Sequence, residues 1–460
     1  MTVPTTVTAQ AIQAMTQLFE TGATRPIEWR RQQLSAMATM LKEHESEISA
    51  ALNTDVGKPS VEGWLTDIAA TRSEITHTLK HLKSWMKPQR VRAGIAAQPG
   101  RASIVNEPVG TVLVIAPWNY PIQLLVNPAV AALAAGNTVV VKPSELAPAC
   151  SALMAKLLPQ YVEGVTVVEG GVAVTTELLA HPFDHIFFTG STTVGKIVMR
   201  AAAEHLTPVT LELGGKSPAI IDDSTNIKVA AKRIAWGKFL NAGQTCIAPD
   251  YVLITEKHRD TFVDLVIAAI GEFYGTDPQS SPELARVVNQ RHLDRLNGLL
   301  ADHGGSIALG GTSDTDDKYL EPTIIVDPNH SSALMTEEIF GPILPIITVA
   351  SRQEAIDFVL ARPKPLALYA FGEDRDATNA IVDQTSAGGV CVNHVLLQFT
   401  VPDLPFGGVG PAGMGRYHGK SGFDTFSNPK GVLRKGTKPD PSLAYPPYTS
   451  FKEKILRRVV

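Results

Sequence analysis

Cysteine is scarce in this chain: three in 460 residues, at positions 150, 246 and 391. An odd and sparse set argues against a disulfide framework. There is no C-x-x-C and no H-E-x-x-H, and the histidines are scattered without ligand spacing, so no zinc motif is expected. No charge sign dominates. Lys and Arg number 41 against 45 Asp and Glu, a formal net charge of −4, which gives no general electrostatic footprint for nucleic acid. The first ten residues, MTVPTTVTAQ, lack a basic region followed by an apolar stretch, so no secretory signal is expected. The most apolar stretches, 111–116 and 128–135, fall well short of the roughly 18 residues that suggest a membrane span. Repeats and low-complexity blocks are also missing. With 44% hydrophobic and 19% charged residues the balance is globular. At about 150 residues per domain the length suggests two to three units. The expectation is a reduced, cytoplasmic, multi-domain protein without an integral membrane span.

Residues 8–52 and 62–85 read as helix-rich. Pro99-Gly100 breaks that pattern, and 101–108 alternates like a strand or hairpin arm. From 111 to 213 strands and helices alternate. Strands are expected at 111–116, 138–141, 165–169, 185–189 and 208–213, and helices at 121–135, 146–160, 174–180 and 194–205. Parallel strands need crossover helices, so this reads as a doubly wound α/β unit. A second unit starts near Gly214, with helices at 226–239 and 259–270 and strands at 250–255, 322–326 and 343–348. The glycine-rich stretch 405–422 reads as an ordered functional loop. The tail after Gly436 holds Pro439, Pro441, Pro446 and Pro447, so it is expected to be extended, ending in a short basic helix at 451–460.

Several local patterns carry chemistry, each beside a plainer reading. G-S-T-T-V-G at 190–195 follows a strand and opens a helix, which suits phosphate, but its spacing is not G-x-G-x-x-G and a plain turn fits too. Cys246, in N-A-G-Q-T-C-I-A-P, is set among small and polar residues, as a nucleophilic thiol requires. Cys150 and Cys391 have apolar or small neighbours and read as structural. Glu212, in L-E-L-G-G-K, ends a strand and is either a general base or the partner of Lys216. Asn119, in P-W-N-Y-P, follows an apolar strand and is either an oxyanion donor or an Asx-turn residue before Pro121. Trp64 and Trp236 read as packing residues by default.

Taken in order, the motifs say more. P-W-N-Y-P at 117–121, K-P-S-E at 142–145, F-T-G-S-T-T-V-G at 188–195, L-E-L-G-G-K at 211–216, G-Q-T-C at 243–246, E-E-I-F-G-P at 337–342 and P-F-G-G at 405–408 resemble the aldehyde dehydrogenase superfamily. The 34 residues between Glu212 and Cys246 match that family's spacing. R-P-K-P-L-A-L-Y at 362–369, G-G-V-C-V-N at 388–393 and P-P-Y at 446–448 resemble its class 3 branch of fatty and aromatic aldehyde dehydrogenases.

The resemblance implies an α/β fold of two Rossmann-like, doubly wound domains with a small β oligomerisation arm. The cofactor domain would span 1–97 and 113–210, the catalytic domain 211–400, and the arm 98–112 and 425–435. Class 3 enzymes are typically dimers, so a homodimer is expected. By the same resemblance Cys246 attacks a small-molecule aldehyde, Asn119 and the Cys246 backbone N–H hold the oxyanion, and Glu212 activates the water that releases the acid. NAD is the expected cofactor, because Glu145 would repel a 2′-phosphate; class 3 relatives often accept NADP as well. Lys142 and Glu145 would meet the adenosine ribose, Ser191 within 190–195 the pyrophosphate, and Thr189 and Gly190 the nicotinamide side. Glu338 and Phe340 would hold the nicotinamide ribose and ring. Trp118 and Gly195 complete the cofactor set through their motifs. Trp236 matches an aromatic position near the substrate tunnel.

Two departures stand out. Many class 3 relatives carry an acidic residue after the G-G-V-C-V-N asparagine, where this chain has His394, either at the tunnel mouth or on an exposed loop. The membrane-bound relatives end in an apolar anchor, whereas this chain ends K-E-K-I-L-R-R-V-V. Lys452, Lys454, Arg457 and Arg458 there suit a solvated helix end or an anionic surface. Three other functions compete with hydrolytic oxidation of a medium-chain aliphatic or aromatic aldehyde. A CoA-acylating relative would commonly lack the glutamate base, and Glu212 is present. A cysteine hydrolase without redox chemistry finds no Cys–His motif. A binding protein on a dead enzyme conflicts with the intact Cys246, Glu212 and Asn119.

Overall fold

The computed structural model describes residues 6–459. The first five residues of the amino-terminal reading and Val460 of the expected terminal helix lie outside the described residues.

The first unit is built on a six-stranded sheet. Its spatial order is Gly413–Met414, Val209–Glu212, His185–Thr189, Thr111–Ile115, Thr138–Lys142 and Val165–Val167, all parallel except the first. The central strands, TVLVI and TVVVK, are buried along their whole length. β-Branched residues suit a pleated surface covered on both faces. One cover is the helix Gln123–Ala135, every residue of which is buried. In register, Ile115 pairs with Lys142 and with Phe188, and Thr189 pairs with Glu212. The carboxyl ends of these strands therefore form one row, and the segment from Pro117 to Tyr120 continues from it.

The second unit holds a seven-stranded sheet. Its order is Ser306–Leu309, Thr323–Val326, Ile343–Val349, Tyr251–Thr255, Pro218–Ile221, Ala367–Phe371 and Gly389–Val392, parallel except at the Ser306–Leu309 edge. Cys246 lies between the helix Ile227–Phe239 and the strand Tyr251–Thr255. A third sheet is separate and antiparallel: Gln89–Val91, Gly100–Pro108 and Ser427–Lys435. Its last strand is almost wholly exposed.

The α/β alternation read from the sequence is present, with some differences. The expected divide at 210/211 falls inside the strand Val209–Glu212, and the edge at 112/113 falls inside Thr111–Ile115. The chain also returns to the first sheet late. Within the expected loop 405–422, Gly413–Met414 pairs with Leu211 and Glu212, and a helix follows at Gly419–Thr425. The helical stretch 62–85 contains a π-helical turn, Trp64–Ala69. Trp64 is 40% exposed there rather than packed, because Asp67 and Ile68 take the inward face of that turn. The basic helix runs Ser450–Val459. Among the described residues no helix is long and apolar enough to cross a membrane.

Candidate active site

Between the two large sheets lies a cavity of about 1100 Å³. Asn119 and Glu212 reach it from the first unit and Cys246 from the second, with Trp118, Thr189, Gly190, Ser191, Trp236, Glu338 and Phe340 on the same lining. Three stretches far apart in sequence thus bring the three expected catalytic side chains to one chamber.

Cys246 is held by a strained loop. Asn241 and Ala242 have φ of 52° and 51°, and Gly243 follows at 74°. A left-handed run of this kind in non-glycine residues is costly and persists only where the surroundings enforce it. They do so through Gln244. Its side-chain Nε2 donates to the carbonyls of Asn241 and Arg286, both at 2.9 Å, and its Oε1 accepts from the Val288 N–H at 2.9 Å. On the far side of Cys246 the Tyr369 hydroxyl donates to the Ile247 carbonyl. Cys246 opens onto the cavity yet sits deep in the molecule. That depth first, and then the carboxyl groups of Glu338 and Glu212, push its thiol up to about 12. Without a substrate it therefore rests as a thiol.

Asn119 is 3% exposed. Its side-chain amide donates to the Gln244 carbonyl at 2.9 Å, which uses one of the two amide hydrogens and leaves the other for a ligand. Its carbonyl accepts from Asn241 Nδ2 at 2.9 Å and from Lys58 Nζ at 3.1 Å. Lys58 is itself fully buried against Asp67 at 2.8 Å and lies 3.9 Å from the Tyr120 ring centre. Asp67 in turn accepts from the Ile122 and Gln123 backbone N–H groups at 3.2 Å. This buried pair fixes both ends of the Asn119 turn. Asn119 is thus held by long-range bonds rather than by an Asx turn.

Glu212 is 3% exposed, and neither carboxyl oxygen has a hydrogen-bond partner among the described residues. Burial raises its pKa well above the ordinary value, opposed by the Arg416 charge. The alternative partner, Lys216, is engaged elsewhere: it pairs with Asp250 and donates to the Leu334 and Glu337 carbonyls at 2.8 and 2.7 Å. The other Asp250 oxygen accepts from the Ile339 N–H at 3.0 Å. Glu338 is thereby fixed from both sides in sequence. Its carboxyl lies over Gly214, where a Cβ would collide with it. Burial and Asp250 raise Glu338 to about 8.

The rest of the cofactor set follows the row of strand ends. Ser191 caps the helix Thr192–Ala203, its Oγ accepting from the Val194 N–H at 3.4 Å, and the cavity reaches Thr192 and Thr193. Free N–H groups at such a helix start favour phosphate. The Thr189 hydroxyl is buried without a partner among the described residues. Lys142, at the end of its strand, donates to Glu145 at 2.6 Å; this pair lies outside the cavity lining. A buried ammonium beside a half-exposed carboxylate suits vicinal hydroxyls. A helix start, a hydroxyl-binding pair and an orphaned hydroxyl together fit a dinucleotide. Gly195 has a different place from that expected. It is buried under Leu213, 2.8 Å from a would-be Cβ, so it serves helix–strand packing and not the cavity.

Trp236 lines the cavity and meets the His394 ring edge-on at 5.8 Å; His394 is half-buried behind it and is not itself on the cavity lining. Cys150 is buried and Cys391 half-buried; all three cysteines are free. The sequence reading passed over Lys58, Asp67, Asn241 and Gln244. Asn241 and Gln244 lie within five residues of Cys246, but nothing local marks bonds that also reach Glu62 and Arg286, 179 and 42 positions away.

Set against known proteins, residues 4–432 match the model of the aldehyde dehydrogenase family. The chain is 46% identical to aldehyde dehydrogenase family 3 member B1 of Rattus norvegicus, over 97% of this chain and 96% of that one. Its fold superposes on a substrate-bound state of Staphylococcus aureus AldH with a TM-score of 0.95 at 45% identity, covering 98% of this chain and 99% of the other. A Mycobacterium tuberculosis aldehyde dehydrogenase complexed with NAD+ gives 0.85 at 26% identity, covering 95% and 92%.

Proposed function

Since this chain belongs to the aldehyde dehydrogenase family, with NAD(P)-dependent oxidation of an aldehyde to its acid as its activity, we propose that Cys246, Glu212 and Asn119 carry the reaction. The observation that supports this reading is their convergence, from two separate sheets, on one cavity.

In this mechanism Cys246 Sγ bonds to the aldehyde carbon as its proton passes to a carboxylate in the chamber. The carbonyl oxygen becomes an oxyanion, held by the free Asn119 amide hydrogen and the Cys246 backbone N–H. One donor of this kind is worth about 10²–10³ in rate. The nicotinamide, when bound, supplies the hydride acceptor that turns the Cys246 adduct into a thioester. Glu212 then takes a proton from water as that water attacks the thioester, and the acid leaves with Cys246 restored. A carboxyl with a raised pKa and no partner among the described residues suits a base that must both accept and return protons. Lys142 and Glu145 hold the adenosine ribose, Ser191 and the helix it caps the pyrophosphate, and Thr189, Glu338 and Phe340 the nicotinamide end. NAD is preferred because Glu145 disfavours a 2′-phosphate, while Lys142 at 2.6 Å offsets enough of that charge to admit NADP.

The six-stranded unit is read as the cofactor domain and the seven-stranded unit as the catalytic domain. The exposed three-stranded sheet is the arm of a homodimer, since so small a sheet lacks a core of its own. A cytoplasmic protein fits three unpaired cysteines. Apolar cavity walls favour medium-chain aliphatic or aromatic aldehydes. The test is NADH formation from such aldehydes without CoA. Cys246→Ala is expected to abolish it while NAD still binds; retained turnover would remove Cys246 from the reaction. Turnover only after CoA is added would instead establish the acylating reading.

A further inference from the structure

One side of the cavity is polar in a way that the reaction above does not use. Glu74, Gln123, Asn127, Tyr417 and His418 line it, and none is more than 5% exposed. Gln123 Nε2, Asn127 Oδ1, the Tyr417 hydroxyl and His418 Nε2 all lack a hydrogen-bond partner among the described residues. Gln123 faces the Tyr417 hydroxyl without reaching hydrogen-bond geometry. Unpaired buried polar atoms do not favour a fold, so four facing one chamber point to a ligand rather than to stability.

The backbone presents them deliberately. Gln123 and Asn127 are one helical turn apart on Gln123–Ala135, so both amides leave the same face of a helix that is otherwise apolar and wholly buried. Leucine at either position would fill the same space without an orphan. Tyr417 and His418 come from the glycine-rich segment, pinned where Tyr417 and Phe406 exchange backbone hydrogen bonds at 2.8 and 3.0 Å. His418 has φ of 79°, a left-handed conformation that a non-glycine residue adopts only under constraint. Its ring is gripped by Phe399 and Tyr417, each at 4.4 Å, and stacks on Phe406.

The wall is also uncharged in its four orphaned members. Burial holds His418 down to about 3, so it is a neutral imidazole, and burial keeps Tyr417 a phenol. Glu74 is already committed, accepting from the Gly419 N–H at 2.7 Å. Donors and acceptors without charge recognise a neutral oxygen and reject a carboxylate, which would be desolvated there unpaired. Around them Leu124, Phe399 and Phe406 provide apolar contact.

We propose that Gln123, Asn127, Tyr417 and His418 form a recognition site for a neutral hydroxyl or carbonyl oxygen carried on an otherwise apolar aldehyde. This rests on the aldehyde-oxidising reading and narrows its substrate class: the preferred substrate is an oxygenated aldehyde, not a plain alkanal.

The test is a positional scan. NADH formation is followed for decanal and for its monohydroxylated isomers, with the wild-type chain and with Gln123→Leu and Asn127→Leu. At least one isomer is expected to exceed decanal in kcat/KM by about ten-fold, the factor that corresponds to about 1.4 kcal/mol, chiefly through KM. That ratio is expected to fall toward one in each variant. Isomers that all equal or trail decanal in the wild type would overturn the site, whatever the variants do. A preference undiminished in both variants would overturn these residues as its origin. No NADH from decanal or any isomer would instead sink the aldehyde-oxidising reading itself.

Discussion

Glu212 shows how function and stability oppose each other at a single residue. Its carboxyl is buried, without a partner among the described residues, and raised well above the ordinary 4.5. An acid whose pKa is higher folded than unfolded favours the folded state most below about pH 4.5, and that contribution is lost as pH rises toward the folded value. The ionised form that the proposed water-activating role requires is therefore the form that burdens the fold. Glu212→Gln should accordingly unfold at higher denaturant than the wild type above neutral pH, with the gap closing toward pH 4.5. Urea midpoints across that range would check this, and a gap independent of pH would rule out the carboxyl as its source. The sequence marked Glu212 by its place at a strand end beside two glycines. It did not settle the partner: Lys216 is nearest in sequence, yet its Nζ turns to Asp250, which lies next to it only because the strands Pro218–Ile221 and Tyr251–Thr255 are paired in register.

At the scale of elements, the proposed reaction rests on two turns that hold each other. The Asn119 turn and the Asn241–Gln244 loop are linked through the Asn119 carbonyl, the Gln244 carbonyl and the Lys58–Asp67 pair. Both members of that pair are fully buried. Removing one strands the other's charge, which costs about 3–5 kcal/mol. Lys58→Met is expected to lose stability of that order in urea unfolding, and Lys58→Met with Asp67→Leu to lose less than the single variant. Equal stability of Lys58→Met and wild type would show that the pair does not brace the turn. Elements were the most legible scale. The β-branched runs 111–116 and 138–141 and the helix 121–135 lie close to the observed Thr111–Ile115, Thr138–Lys142 and Gln123–Ala135. The π-helical turn at Trp64 was not legible, because a widened turn keeps a helical composition while shifting which face is inward. The same shift sets Trp64 outward and Asp67 inward beneath Lys58.

For the whole molecule, the proposed active site is a joint product of two sheets, neither of which holds it alone. The first sheet contributes Glu212 and the Asn119 turn, the second contributes Cys246, and the late return of the chain at Gly413–Met414 closes the Glu212 edge. Motif order made the partnership of Cys246 with Glu212 readable, whereas the polar wall of Gln123, Asn127, Tyr417 and His418 was not. Its members come from a helix and a loop nearly 300 residues apart, brought together by packing between Gln123–Ala135 and Gly419–Thr425. The exposed sheet of Gly100–Pro108 and Ser427–Lys435 predicts a second copy. Sedimentation equilibrium should give twice the chain mass, and Leu433→Lys, which charges a 55% exposed apolar position on that sheet, should shift it toward one; a monomeric wild type would refute the arm. The central claim is that Cys246 carries the acyl group and Glu212 releases it. The most direct measurement is the intact mass of Glu212→Gln after quenching a mixture with NAD and a reactive aldehyde. The account predicts a stoichiometric acyl adduct on Cys246 that decays far more slowly than in the wild type. Undiminished turnover with no adduct, or an adduct on another residue, would contradict it.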